Sequence, residues 1–388
     1  MSNVPIVVRG GSLPTAVLAL GTFAVGTDAF VVAGFLPAMA ESLGVGESVA
    51  GWSVTVFAVA YAVLAPVLAT MTARLPRRTL LVAALAVLTL ANLGSALAPT
   101  FPLLLATRVV AAAGAAAFTP NAGAVAAALA TPEARGRALA TVIGGLSVAT
   151  AVGVPLGGLI GEWLGWRAAL VLVALACLAV GAGVLASLPD LPGGPRVPLR
   201  QRLGVLRRPA VRAVLPLSVL GMAAGYTVYA YSVPALQAVG VADPAPMLFG
   251  YGLGAVAGSL TAGYATDRWG ATRVLLTGYV VMAASLGLLG VMAATGSASP
   301  VAVAVLVAGW GASSWCQTPP QQHRLIAAAP EEASLVVSLN SSAIYAGIGA
   351  GTLAGGLTLI CGPAPTYGTG AALAVAALAL ALLTRRRE

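Results

Sequence analysis

Residues 145 to 161 read Gly-Leu-Ser-Val-Ala-Thr-Ala-Val-Gly-Val-Pro-Leu-Gly-Gly-Leu-Ile-Gly, placing Gly145, Ala149, Gly153, Gly157 and Gly161 four apart with Pro155 among them. Positions four apart share one face of a helix, so this apolar stretch carries a strip nearly free of side chains, along which another helix backbone can approach closely. Pro155 has no N–H to bond the carbonyl four residues back, which predicts a kink. Small residues at this spacing mark tight packing in a membrane bundle; Pro155 and the adjacent Gly157-Gly158 make the pattern more specific.

Composition agrees with a membrane bundle. The chain has 388 residues, 59% hydrophobic and 8% charged, with a mean hydropathy of +0.96, values that exclude a water-soluble fold. A spanning helix needs about 20 mainly apolar residues. On that length the chain divides into twelve spans: 13–39, 49–71, 79–98, 101–130, 138–161, 168–188, 213–239, 246–265, 272–295, 299–323, 334–360 and 365–384. The fold class expected is an all-α membrane protein of twelve transmembrane helices, with no soluble domain. The first span exceeds a signal-peptide core and a second follows closely, so it is expected to be retained. Cys177, Cys316 and Cys361 have neither metal-ligand spacing nor a disulfide framework, and no cofactor or metal is called for.

The formal charge of +9 is carried by arginine alone. Arg9, Arg74, Arg77, Arg78, Arg135, Arg137, the group from Arg196 to Arg212, Arg268, Arg273, Arg324 and Arg385 to Arg387 fall at the termini or in even-numbered loops. Of the arginines outside the spans, Arg167 alone falls in an odd-numbered loop; those loops otherwise carry acids such as Glu41, Glu47, Glu162 and Asp243. The positive-inside rule makes the arginine face cytoplasmic, with both termini inside and the protein in the cell membrane. Basic residues in short loops beside spans meet the lipid bilayer first, which disfavours nucleic acid as a partner.

Residues 190–212 form the longest polar break and read as a cytoplasmic linker between an N-terminal six-helix half, 1–189, and a C-terminal six-helix half, 213–388. The halves echo each other. Ala69 to Leu81 after span 2 recurs as Gly263 to Leu276 after span 8, Thr131-Pro-Glu before span 5 as Ala329-Pro-Glu before span 11, and Gly153-Val-Pro-Leu-Gly-Gly-Leu as Gly351-Thr-Leu-Ala-Gly-Gly-Leu. Such a parallel repeat is expected of two pseudo-symmetric halves related by an axis along the membrane normal.

These features resemble the major facilitator superfamily over essentially the whole chain, and within it the twelve-span drug:proton antiporters. Gly263, Asp267, Arg268, Gly270 and Arg273 are similar to the superfamily's G-x-x-x-D-R-x-G-x-x-R loop. Leu36-Pro37 with Leu43-Gly44 resembles the Leu-Pro motif of span 1, Arg108 with Gly114 the R-x-x-x-x-x-G motif of span 4, and Gly145 to Gly158 the antiporter motif of span 5. The first-half loop departs from the pattern, with Ala73 where the family has Asp and Pro76 where it has Gly, so its gate is expected to be held partly by other contacts. The resemblance implies the major facilitator fold, with spans 2, 5, 8 and 11 meeting between the halves. It makes Gly145, Gly153, Pro155, Gly157, Gly158, Gly263, Asp267, Arg268 and Arg273 candidates for gating and the interface. Ladders in span 8 (Gly250, Gly254, Gly258, Ala262) and span 11 (Ala343, Gly347, Gly351, Gly355) are expected to smooth the same surfaces.

The charged residues expected well inside spans are Asp28 and Arg108. Each costs roughly 2.5 to 3.5 kcal/mol at bilayer depth, so each calls for a partner, a cavity or a function. At 1.5 Å per residue, Asp28 lies ~16 Å below Met39 and Arg108 ~9 Å below Pro102, a difference an extended arginine can bridge. Asp28 is read as the proton carrier and Arg108 as its partner, the alternative being a buried ion pair that is structural only; related antiporters often place the acid one position later, where this chain has Ala29. Asn92, Asn121, Tyr226, Tyr229, Gln317, Asn340 and Tyr345 are candidates for a substrate cavity, with Tyr231, Gln237, Trp310 and Trp315 as further polar or aromatic positions, a set suited to a flat amphipathic ligand. His323, the sole histidine, is expected at the interface. With one histidine and no paired intramembrane carboxylates, membrane zinc and aspartyl proteases are disfavoured. The reading is a proton-coupled, monomeric exporter of a small, largely hydrophobic molecule. A sugar or metabolite transporter of the same fold, and a transport-dead sensor or scaffold, are the alternatives.

Overall fold

The computed structural model describes residues 12–131, 134–194, 198–296, 299–329 and 332–385, which contain helices and turns and no strand. Arg9, Arg196, Arg386, Arg387, and Pro132-Glu133 and Pro330-Glu331 of the repeated Pro-Glu pairs, lie outside the described residues.

Span 1 is built from Ser12–Phe30 and Val32–Ser42, span 2 from Glu47–Ala50 and Trp52–Met71, span 3 from Arg77–Ala96 and span 4 from Phe101–Leu129. Span 5 joins Arg135–Val148 to Val154–Leu164 through Ala149–Gly153, and span 6 is Trp166–Ser187. In the second half, span 7 is Pro209–Tyr229 with Ser232–Ala238, span 8 Ala245–Trp269, span 9 Ala271–Thr295, span 10 Pro300–Trp315 with Thr318–Ala328, span 11 Ala333–Leu359 and span 12 Pro363–Arg385. Eleven of these are long and apolar enough to cross a bilayer. The exception is span 8, whose 25 residues include five glycines that dilute its hydropathy.

Proline sets many of the boundaries and breaks. At the first turn it is tolerated, because that N–H has no intrahelical partner; Pro102, Pro209 and Pro300 open spans 4, 7 and 10 there. Further inside it removes a ladder bond. Span 1 is interrupted at Val31, and Phe35, two residues before Pro37, leaves helical geometry with φ −129° and ψ 15°. Span 7 breaks at Ala230-Tyr231, ahead of Pro234, and span 10 at Cys316-Gln317, ahead of Pro319 and Pro320.

The pairing of helices repeats six spans later. Span 1 packs on 5 and 6, span 2 on 4, and span 3 on 4 and 6; span 7 packs on 11 and 12, span 8 on 10, and span 9 on 10 and 12. Between the halves, span 2 runs along span 11 and span 5 along span 8. Two pseudo-symmetric six-helix halves are therefore present.

The glycine ladders act differently from the expectation. A Cβ at Gly145 would run into Thr22 and the Ala19 carbonyl, at Gly153 into Thr27, at Gly157 into Val31, and at Gly161 into Phe35, all on span 1 of the same half. Gly158 and Gly34 meet backbone to backbone, with a Gly158 Cβ reaching the Gly34 oxygen at 3.2 Å. Gly254 and Gly258 of span 8 lie against Ala308 and Ala312 of span 10, and Gly347, Gly351 and Gly355 of span 11 against Val219, Ala223 and Thr227 of span 7. The ladders thus lock helices within each half. Close approaches between the halves use other residues: Gly252 against Ala151, Gly349 against Val59 and Thr55, and Gly51 against Tyr231.

Pro155 follows a π-helical turn over Ala149–Gly153; widening the ladder by one residue accommodates the lost bond. That widened turn carries Ala151, the residue that meets Gly252 of span 8.

The start of the linker is held to the loop after span 2. The Arg77 N–H donates to the Leu191 carbonyl at 2.8 Å and the Gly194 N–H to the Ala73 carbonyl at 2.8 Å. Gly193 lies so close to the Arg74 carbonyl that a Cβ has no room there. Backbone pairing thus occupies the loop in which Ala73 replaces the family's acid.

The arginine distribution predicts orientation. A reporter inserted at Pro198, beyond the paired residues, and one at the C-terminus should both report the cytoplasm, and one beside Asp243 the outside. Opposite readings for Pro198 and the C-terminus would break the orientation.

Candidate functional site

Asp28 and Arg108 form an ion pair, with Nη1 of Arg108 donating to Oδ1 of Asp28 at 2.6 Å and Nη2 to the Asp28 backbone carbonyl at 2.9 Å. Their side chains are 0% and 1% exposed. The second bond follows from the break in span 1. The first segment ends at Phe30, so the Asp28 carbonyl is among its last four, which a helix end leaves short of intrahelical donors. The break therefore presents a carboxylate and a carbonyl to one guanidinium. The Phe57 ring lies 4.5 Å from the Arg108 guanidinium carbon, a cation–π contact that adds to the support of the buried charge. Oδ2 of Asp28 and Nε of Arg108 have no hydrogen-bond partner.

Aromatic rings extend from this pair into both halves. Phe57 is 6.2 Å from Tyr345 of span 11, which stacks on Tyr61 of span 2 at 3.7 Å between centroids. Phe30, two residues from Asp28, lies 5.9 Å from Tyr226 and 5.8 Å from Trp315. Tyr226 leads to Tyr229 at 5.1 Å. Of the expected cavity residues, Tyr226, Tyr229 and Tyr345 are thus linked to the ion pair through Phe30 and Phe57.

Gln317 and Asn340 belong to a separate polar group in the second half. Gln317 donates to the Ser314 carbonyl, the Tyr279 hydroxyl lies 3.3 Å from Gln317 Oε1, and Gln321 Nε2 is 3.4 Å from the same hydroxyl. Ser218 donates to Asn340 Oδ1 at 2.6 Å. A narrow space lined by Ser218, Gln317, Gln321 and Asn340 lies among them. Asn92 and Asn121 are not brought to either group. The Asn92 amide donates to the Leu88 carbonyl of its own helix. Asn121 accepts from Arg77 at 3.0 Å and donates to Ala117, so it braces the arginine of the loop that pairs with the linker.

Asp267, Arg268 and Arg273 lie exposed at the end of span 8 and the start of span 9, with Arg268 donating to the Tyr264 hydroxyl at 3.1 Å. Nothing approaches Gly263 within 4 Å of a Cβ. At the opposite end of the bundle the halves touch directly, where Ser48 donates to the Gly356 carbonyl at 2.6 Å. Tyr231, held by a 3.0 Å bond to the Thr352 carbonyl, fills the space that side chains at Gly51 and Gly356 would take.

The sequence reading missed Phe30, Phe57, Tyr61, Tyr251, Tyr279 and Arg324. The aromatic residues sit in apolar runs where they look like any core side chain. Arg324 is a correction: the sequence puts it in an even-numbered loop, yet it is 7% exposed while its neighbour His323 is exposed. The signal available was its position two turns beyond Gln317 and one beyond Gln321, on the face that those two share.

Residues 18–243 match the sequence profile described as the Major Facilitator Superfamily. The chain is 34% identical to a chloramphenicol resistance protein of Streptomyces lividans, over 89% of each chain. It is 31% identical to the inner membrane transport protein YdhP of Escherichia coli O157:H7, over 97% of this chain and 96% of the relative. Among solved structures, that of a D-xylose-proton symporter superposes with a TM-score of 0.79 over 95% of this chain and 97% of the other, at 16% identity; at that identity the likeness concerns the fold alone.

Proposed function

The chain belongs to the major facilitator superfamily, and on that premise we propose that it is a proton-coupled antiporter of the cell membrane. It exports a small, largely hydrophobic organic compound by alternating access of its two halves, with both termini in the cytoplasm. The observation that carries the reading is the Asp28–Arg108 pair: Asp28 is the one fully buried carboxylate among the described residues, and it sits where span 1 breaks. The 34% identical relative named for chloramphenicol resistance supports a drug-like cargo.

In this reading Asp28 carries the proton. Ionised, it holds Arg108 through its carboxylate; protonated, it releases that charge while the backbone carbonyl and the Phe57 face keep the guanidinium in place. Phe30 stands two residues away against Tyr226 and Trp315 of the other half, so a shift of span 1 on protonation moves an aromatic wall of the interface. Proton and cargo thereby compete for one arrangement of the break in span 1. The breaks in spans 7 and 10 supply further flexible points along the same interface.

Everted membrane vesicles energised with an acidic interior test this reading. Accumulation of uncharged aromatic drugs from a panel is expected, with its loss when a protonophore collapses the gradient. Accumulation that ignores the protonophore and follows an imposed sodium gradient would overturn the proton coupling; no movement of any panel compound would overturn the export of such compounds.

A further inference from the structure

Tyr226 and Tyr229 of span 7, Tyr251 of span 8 and Trp310 of span 10 form one aromatic cluster. Ring centroids lie 5.1 Å apart for Tyr226–Tyr229, 4.6 Å for Tyr229–Tyr251 and 4.8 Å for Tyr251–Trp310. Phe30 of the opposite half borders it at 5.9 Å from Tyr226. The Tyr226 and Tyr229 hydroxyls and the Trp310 Nε1 have no hydrogen-bond partner, although each residue is only 1% exposed. Elsewhere in the same half the Tyr231 and Tyr279 hydroxyls do reach backbone carbonyls. A buried donor without an acceptor is costly, and an indole N–H can only donate. The cluster therefore combines closely packed aromatic rings with donors that lack acceptors.

Its charge surroundings narrow the ligand further. The one buried carboxylate among the described residues is Asp28, and it is bound to Arg108. Aligning Pro37 of span 1 with Pro234 of span 7 puts Gly225 where span 1 has Asp28. A side chain at Gly225 would meet Ser314 at 2.8 Å and Trp310 Nε1 at 3.7 Å, so the second half has no carboxylate at this place to neutralise a cation.

We propose that the Tyr226–Tyr229–Tyr251–Trp310 cluster selects flat, uncharged aromatic compounds bearing hydrogen-bond acceptors such as carbonyl or ether oxygens, and rejects lipophilic cations. The rings of the ligand stack on or edge against those of the cluster, and its oxygens accept from the hydroxyls and the indole. This deepens the export reading and rests on it for calling the ligand a cargo; binding at the cluster needs no gradient.

Equilibrium dialysis of proteoliposomes, with protein-free liposomes as blank, compares three probes that share one ring system: naphthalene, 2-acetylnaphthalene and a naphthylmethyl-trimethylammonium salt. The acetyl compound should bind about tenfold more tightly than naphthalene, the scale of one or more hydrogen bonds to otherwise unpaired buried donors, and the cation more weakly than both. Changing Tyr226→Phe and Tyr229→Phe together keeps the rings and removes two donors, so affinity for the acetyl compound should fall towards that for naphthalene, which should itself stay unchanged. Equal binding of the two neutral probes, tightest binding of the cation, or an acetyl preference that survives both substitutions would overturn the proposal. Should the double variant not fold, the ranking in the unaltered protein decides. An intact ranking without gradient-driven movement overturns the export reading alone, and gradient-driven movement without the ranking overturns this proposal alone.

Discussion

Asp28→Asn should abolish gradient-driven export while leaving ligand binding and downhill exchange in place. Asparagine matches the shape of the carboxylate and retains an oxygen for the 2.6 Å bond from Arg108, and the bond from Arg108 to the backbone carbonyl does not involve the side chain. The amide cannot take up or release a proton, so accumulation in energised vesicles should fall to that of membranes without the protein. One complication is stability. Removing one partner of a buried pair leaves the other charge uncompensated, at a cost of about 3–5 kcal/mol, part of which the Phe57 face offsets. Asp28→Asn with Arg108→Gln removes both charges and separates the two effects: thermal stability should recover, and export should stay lost. Accumulation undiminished in the single variant would move coupling away from Asp28, and no second fully buried carboxylate exists among the described residues to receive it.

How far these sites were legible in the sequence depends on which physical cost each residue exposes. A charge at bilayer depth is expensive whatever surrounds it, so Asp28 and Arg108 stood out, and the helical rise alone put them within reach of each other. Arg324 escaped because it lies near the end of span 10, where hydropathy does not separate an arginine turned inward from one at the lipid headgroups. The ladder of span 5 is a different case. Spacing of four states that a backbone comes close to one face, but carries no information about which helix it belongs to. Span 1, not span 8, takes that face, and the half-to-half approach falls to Ala151 and Gly252. Pro155 was visible as a missing donor, but the π-helical turn before it, against which span 8 packs, was not. Phe30 and Tyr251 were illegible for a simpler reason, since an aromatic residue in an apolar run costs nothing wherever it points.

Gly157→Leu should leave the protein inserted in the membrane and stop transport. Even a Cβ at Gly157 would overlap Cγ2 of Val31, and Val31 is the residue at which span 1 breaks, three positions beyond Asp28. A branched side chain must push span 1 from span 5 at the point where the Asp28 carbonyl is offered to Arg108. Overpacking in a close-packed interior costs about 1–3 kcal/mol, and here the displaced partner is a helix rather than a single rotamer. The contact also predicts its own rescue. Gly157→Ala should impair transport to a lesser degree, and combining it with Val31→Ala should restore it, because the next nearest atom, Cβ of Val31, stands at an ordinary 3.4 Å. Gly144→Leu supplies the control: nothing lies within 4 Å of a Cβ at Gly144 on the same span, so added bulk there should leave transport intact. Transport rates and thermal midpoints of the four variants, read against membrane levels of each, decide the matter. Full activity in Gly157→Leu, or failure of Val31→Ala to rescue Gly157→Ala, would show that the contact between spans 1 and 5 does not govern the position of Asp28.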